Sequence, residues 1–317
     1  MEVFQEKYLN PFTDFGFKKL FGSEPNKDLL IDFLNQIQDA EYRVESLSYK
    51  KSDFLGATEL DRKAIFDLYC ENSKGEKFII ELQKAKQNYF KDRSVYYSSF
   101  PIQEQGQKGE WNYELQAVFT VGILDFCFDD EQKNEVKVVV EQGRNTKAAA
   151  QPKGKVKVVV KLMDTEEQTV FYDKLAYIYL QMPNFTKTEE ELETQYDKWL
   201  YVLKNLPKLQ DRPQKLQDKV FDKLFQVAEI AKFDPQERMA YHDSLKYYRD
   251  LKNVIDTAKG EGEEKGLTKG RAEGRAEGRE QERVAIAQKA IKAGLTDDVI
   301  ASLTGLDTQE IAQLRTQ

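Results

Sequence analysis

Histidine is nearly absent from this 317-residue chain, where His242 is the only one. That excludes a multi-histidine metal cage and makes histidine-dependent nuclease motifs poor fits. No G-x-S-x-G turn is present to serve a triad built on His242, which reads as a surface or helix-packing residue in "ERMAYHDSLKYY". Cysteine is scarce as well: Cys70 and Cys127 both sit inside apolar runs, and two small buried thiols make neither a disulfide framework nor a cysteine zinc site. No run approaches about 18 apolar residues, and no basic segment leads an apolar one at the N-terminus. A soluble, cytoplasmic protein without a membrane partner is expected. There is no surplus of positive charge either. Lys and Arg number 48 against 55 Asp and Glu, a net of −7, so nucleic acid could be bound only through a local basic patch. The chemistry left open belongs to carboxylates, lysines and a hard cation.

What is present is enough for a core: 40% hydrophobic residues, with 19 Phe and 16 Tyr. Residues 1–43 read as helical, "NPFTDFGFKKLFG" and then "NKDLLIDFLNQIQ" carrying apolar residues at helical spacing. A strand is expected at Arg43–Tyr49, a helix over Lys86–Gln105 disturbed by Pro101, and a buried strand in 113–126. "VKVVV" occurs at 136–140 and again at 156–160, which suggests a hairpin with a long basic tip over 143–157. The strand "KLAYIYLQMPNF" should stop at Pro183, with helices following over Leu192–Leu206, Pro213–Ala231 and Pro235–Thr257.

Glycine then recurs at 262, 266, 270, 274 and 278 among balanced charges. A flexible charged linker and a helix packing a partner along its glycine face are equally compatible with that spacing. The last residues form three short helices, with Gly294 and Gly305 as stops and Thr296 and Asp307 as caps. They are similar to a helix-turn-helix module, but Asp297 and Asp298 make its second helix a poor reader of DNA. The expected divisions are 1–187, a helical extension 188–258, the glycine-periodic segment 259–283 and a small helical module 284–317.

The densest chemistry lies in "AIFDLYCENSKGEKFIIELQ", residues 64–83. With Ser73–Gly75 as a three-residue turn, Gly75 supplying positive φ, Asp67 stands directly opposite Glu81. One face then carries Phe66, Leu68, Cys70, Phe78, Ile80 and Leu82, all apolar. The other carries Asp67, Glu81 and Gln83 among Ile65, Tyr69, Lys77 and Ile79. Opposed acids repel at a Cβ separation of about 5 Å. A divalent cation would offset the repulsion, and so would solvent or a neighbouring lysine.

The D…E-x-Q hairpin, following "TDFGFKKLFG" and followed by "KDRSVYY", resembles the PD-(D/E)XK nuclease superfamily. More closely it is similar to bacterial recombination-promoting nucleases, or transposases, including their glycine-periodic tails. The resemblance implies an α/β fold with a restriction-endonuclease-like mixed sheet core (αβββαβ), a mainly helical C-terminal region, and Mg²⁺-dependent hydrolysis of DNA, with Mn²⁺ as a substitute. By the motif, Asp67 and Glu81 hold the metal. Gln83 replaces the superfamily's lysine, so a charge must come from elsewhere; Lys18, Lys19, Lys84 and Lys86 are the candidates. Asp14 is the candidate for a further acid on the first helix. Lys19, Lys84, Lys86, Lys91 and Arg93 are placed to meet the DNA backbone. The loss of the lysine also admits an alternative: a weak or inactive nuclease fold that binds DNA, or assembles through its C-terminal helices into a homo-oligomer.

Overall fold

The computed structural model describes residues 6–51, 53–54, 64–106, 111–128 and 154–315. Two units are present, Met1–Leu251 and Lys252–Gln317.

The first unit opens with α1 (Asp14–Phe21), whose N-cap Thr13 accepts the Gly16 amide, and α2 (Lys27–Ile37). Leu29, Leu30, Phe33, Leu34 and Ile37 of α2 recur at helical spacing and are all buried. The strands β1 (Leu47–Tyr49), β2 (Asp53–Phe54), β3 (Ala64–Ile65), β4 (Leu68–Asn72) and β5 (Lys77–Gln83) follow. Next come α3 (Phe90–Glu104), β6 (Val118–Leu124), β7 (Lys157–Asp164) and β8 (Thr169–Gln181). The unit's last helices are α4 (Gln195–Asn205) and α5 (Lys219–Ala228), after which α6 (Pro235–Lys292) begins.

Among the described strands a six-stranded mixed sheet has the order β1-β4-β5-β6-β8-β7, and β2 pairs with β3 separately. β4 runs antiparallel to β5, whereas β5, β6 and β8 are parallel neighbours. α3 makes the crossover that a parallel β5–β6 pair requires. The order of α1, β1, β4, β5, α3 and β6 is the αβββαβ arrangement, and the chain is a mixed α/β protein with a helical C-terminal region.

One face of the sheet is the main core. Cys70, Phe78, Ile80, Phe119, Val121 and Leu180 meet apolar residues of α1, α2, α4 and α5. Trp199 of α4 lies at the centre, its ring within 6 Å of Phe21, Phe33 and Phe221 and its Nε1 donating to Asp32 at 2.6 Å. α3 covers the other face, where Phe66, Tyr69 and Ile79 form one cluster and Phe90, Leu124, Tyr177 and Tyr179 another. β6, fully buried, is apolar on both sides except for Thr120 and Gly122.

Several expectations change. Phe66 is not on the core face with Leu68. The backbone bends at Asp67 and the β4–β5 ladder begins at Leu68, so strand alternation is not carried through, and Phe66 turns to Tyr97 and Phe100 of α3. Pro101 does not interrupt α3: only three helical residues follow it, so the bond lost by its missing N–H falls in the last turn. Residues 84–89 form the loop before α3 rather than its start. The 156–160 segment lies largely in β7, whose partner is β8, while 136–140 and most of the 143–157 tip fall outside the described residues.

In the second unit, the glycine-periodic stretch is helical and belongs to α6. α7 (Asp297–Thr304) and α8 (Thr308–Arg315) bury Ile300, Leu306 and Ile311 with Ala287 and Ala290 of α6. Gly294 and Gly305 end their helices at φ 75° and 68°. Asp307 caps α8 through the Gln309 and Glu310 amides, and Arg283 and Arg315 tie the turns to their carbonyls.

Candidate active site

The β4–β5 hairpin has the register read from its hydrophobic pattern, Leu68 pairing with Ile80 and Tyr69 with Ile79. Its turn closes through Asn72 and Glu76, with Gly75 at φ 80°, a left-handed conformation that glycine adopts without steric cost. One pair beyond the regular ladder, Asp67 faces Glu81. Continued pairing would direct the Leu82 amide to Phe66; instead Asp67 Oδ2 accepts it at 2.7 Å. Glu81 Oε1 accepts the Asp67 amide at 3.3 Å. Each carboxylate thus braces the opposite strand, which fixes both side chains at the point where the sheet opens.

Both acids are half-buried, and both bind protons more tightly than usual. Burial is the main cause for Glu81, and the facing Asp67 charge adds to it; together they push the carboxyl up to about 8 against the pull of the Asp67 amide and Arg93. Burial likewise raises Asp67, opposed by the Leu82 amide and the charges of Lys18 and Lys84. Glu81 pairs across the sheet with Gly122 of β6. A Cβ on Gly122 would lie 2.9 Å from Tyr179 Cδ1, so the absent side chain lets the Tyr179 ring close the row beside Glu81.

Gln83, one pleat on, is buried and its amide is committed: Nε2 donates to Ala85 O at 2.8 Å and Oε1 accepts from Arg93. The Arg93 guanidinium also donates to Gln87 Oε1 at 2.6 Å and lies against the rings of Phe90 and Tyr97, 5.4 and 5.7 Å from their centroids. The sequence points Arg93 to the DNA backbone but does not single out Tyr97, although "RSVYY" sets the two one helical turn apart. The link to Gln83 had no signal in the sequence, because it joins a strand to a helix across the sheet.

Lys84 is half-buried, 5.7 Å from the Tyr247 ring centroid. Burial lowers its pKa, while Asp14 and Asp67 act to raise it. Lys18 pairs with Asp14 at 3.0 Å on the exposed start of α1. Asp14, Lys18 and Lys84 therefore share an electrostatic neighbourhood with Asp67. Among the described residues, however, no group of three acidic, histidine or cysteine side chains could hold a metal ion, so Asp14 does not complete a third acidic corner. Lys19 pairs with Glu237 and lies 5.2 Å from the Phe233 ring centroid. Lys86 and Lys91 are exposed beside the site, Lys91 5.1 Å from the Phe128 ring centroid. His242 lies on α6, and its ring is 6.0 Å from that of Tyr241. Cys70 is buried and Cys127 half-buried, its thiol donating to Asn184 Oδ1 at 3.2 Å.

No helix among the described residues is long and apolar enough to cross a membrane. No curated protein and no solved structure matches the chain. A family model does match, over residues 11–149 and 145–258, and these spans hold the hairpin acids, α3 with Arg93 and the helices that close the main core. On that match, which takes in well over half of its length, the chain belongs to the PD-(D/E)XK nuclease family transposases.

Proposed function

We propose that this chain is a divalent-cation-dependent DNA endonuclease of the mobile-element type, acting in the cytoplasm. The observation that carries this reading is the Asp67–Glu81 pair: two half-buried carboxylates opposed at a break in the sheet, each holding its proton unusually tightly. A pair of that kind fits a small hard cation, whose charge would offset the repulsion between the two carboxylates, and its oxygen-only donor set suits Mg²⁺, with Mn²⁺ as a substitute. When bound, the cation would supply charge neutralisation and water activation at the phosphate.

The protein's own groups do the rest. Asp67 and Glu81 would hold the cation, their side chains oriented by the Leu82 and Asp67 amides. Arg93 takes the charge-stabilising role that the family's lysine would fill from position 83, facing the phosphate oxygens as negative charge grows on them. Gln83 positions Arg93 rather than acting itself, because its oxygen is already accepting from the guanidinium. Lys84 and Lys18 hold the DNA backbone near Asp67, with Asp14 orienting Lys18. Self-association through the glycine face of α6 belongs to the same reading, since a Cβ on any of its five periodic glycines would meet nothing within 4 Å.

The test is nicking of supercoiled plasmid with Mg²⁺ or Mn²⁺. Wild type should cut, and Asp67→Ala and Glu81→Ala should each lose at least about a hundredfold. Equal cutting by all three would overturn the site. Failure of the wild type to cut, with DNA still bound, would leave a binding protein on a nuclease fold.

A further inference from the structure

We propose that a pocket beside the candidate active site holds the base of an unstacked nucleotide, so that the preferred substrate is single-stranded or locally opened DNA. The inference rests on the nuclease reading above and names its substrate class. The pocket, of about 280 Å³, lies between the loop that follows β5 and the residues that follow β6. These are the carboxyl ends of two parallel strands, where crevices of open α/β sheets take their ligands. Its volume is just below the roughly 300–1,000 Å³ of sites for drug-sized molecules, which suits one base rather than a whole nucleotide.

The walls are built for a flat ring. Phe126 and Phe128 are half-buried, their rings at 77° to each other. Phe128 meets the Tyr179 ring edge-on at 5.2 Å, and its amide donates to the buried Gln181 Oε1 at 2.6 Å, which makes that wall rigid. Tyr89 also lines the pocket. It is 79% exposed at φ 61°, a left-handed conformation that a bulky side chain seldom adopts. No interior packing explains a tyrosine there, whereas stacking on a base does. The amide of Asn88 and the carboxylate of Asp92 can meet a base edge, and Lys86 and Lys91 at the rim can meet flanking phosphates.

A hydrogen-bond chain runs from this pocket to Gln83 on the strand that carries Glu81. Gln87, which lines the pocket, accepts from Arg93, and Arg93 donates on to Gln83, two residues along β5 from Glu81. A base seated in the pocket would therefore place its own backbone beside Arg93. A base stacked inside a duplex cannot present its face in this way, so occupancy requires an unpaired or extruded nucleotide.

The experiment uses the full chain in chelator, without metal, and a single-stranded deoxyoligonucleotide carrying 2-aminopurine, whose fluorescence falls on stacking. Wild type should quench it and bind it about tenfold or more tighter than the same sequence in a duplex. Tyr89→Ala and Phe128→Ala should weaken binding roughly five- to hundredfold. Tyr113 is the matched control, 79% exposed at φ 63° but outside the pocket, and Tyr113→Ala should bind as wild type. Equal affinity for duplex, or unchanged binding by Tyr89→Ala, would overturn the proposal; that side chain is in solvent, so its loss leaves the fold intact. Cutting without quenching removes the base pocket alone, and quenching without cutting removes the catalytic reading alone.

Discussion

Glu81 is protonated well into the neutral range because burial and the facing Asp67 charge both disfavour its anion. Its folded pKa of about 8 lies above the ordinary 4.5, so between those values the folded state holds a proton that the unfolded chain releases. Metal-free stability should therefore fall as pH rises from about 4.5 to about 8 and level off above that. Glu81→Gln removes this slope and should stabilise the metal-free protein at pH 8 by about 2 kcal/mol, read as a higher melting temperature than wild type. A destabilised Glu81→Gln at that pH would contradict the strained pair. Arg93 gives a second residue-scale prediction. Arg93→Met should lower kcat by about a hundredfold with a smaller effect on KM, because the lost charge acts on the transition state. Arg93→Lys should recover only part, since a lysine cannot donate to both Gln83 and Gln87 as the planar fork does. Adding Gln83→Lys to Arg93→Met returns a cation to β5 and should regain at least about tenfold. No gain in the double variant would place the charge elsewhere, Lys84 being next in line.

The hairpin and the strand beside it decide where those residues sit. Gly75 holds the turn at φ 80°, so Gly75→Ala should cost about 1 kcal/mol through the left-handed penalty. Gly122→Ala is more informative. Its Cβ would stand 2.9 Å from Tyr179, forcing that ring out of the row beside Glu81. A loss of about 1–3 kcal/mol in denaturant titration is expected from overpacking. Quenching of the 2-aminopurine probe should fall with it, because Tyr179 supports Phe128. At this scale the sequence was legible where alternation ran unbroken, as in Leu68–Cys70 and Phe78–Ile80, whose pattern alone set the register. It failed at Phe66, where the bend at Asp67 ended the alternation, and at Pro101, where distance from the helix end mattered more than residue type.

Across the whole molecule, α4 and α5 share one core with α1, α2 and the sheet, while α7 and α8 close a separate small core with the end of α6. Truncation after Ala258 removes nearly all of the second unit and leaves the first core complete. The truncated chain should keep its main melting transition and lose self-association, read as mass by light scattering. An unchanged oligomeric mass would place self-association outside the glycine face.

The mixed α/β class came from the family resemblance, while sequence alone determined the opposed Asp67 and Glu81, the Gly75 turn and the helix stops at Gly294 and Gly305. Each follows from local backbone preference or from the two-residue period of a strand, which needs no knowledge of distant chain. The same chain left open whether the glycine-periodic stretch is helix or linker; the structure makes it part of α6. Only the tertiary structure decided that Arg93 meets Gln83, that Lys19 is spent on Glu237, and that Phe126 and Phe128 wall a pocket near the acids. Those contacts join residues on different elements, and their geometry is set by how α3 packs against the sheet and α6 against α1 rather than by any periodicity along the chain.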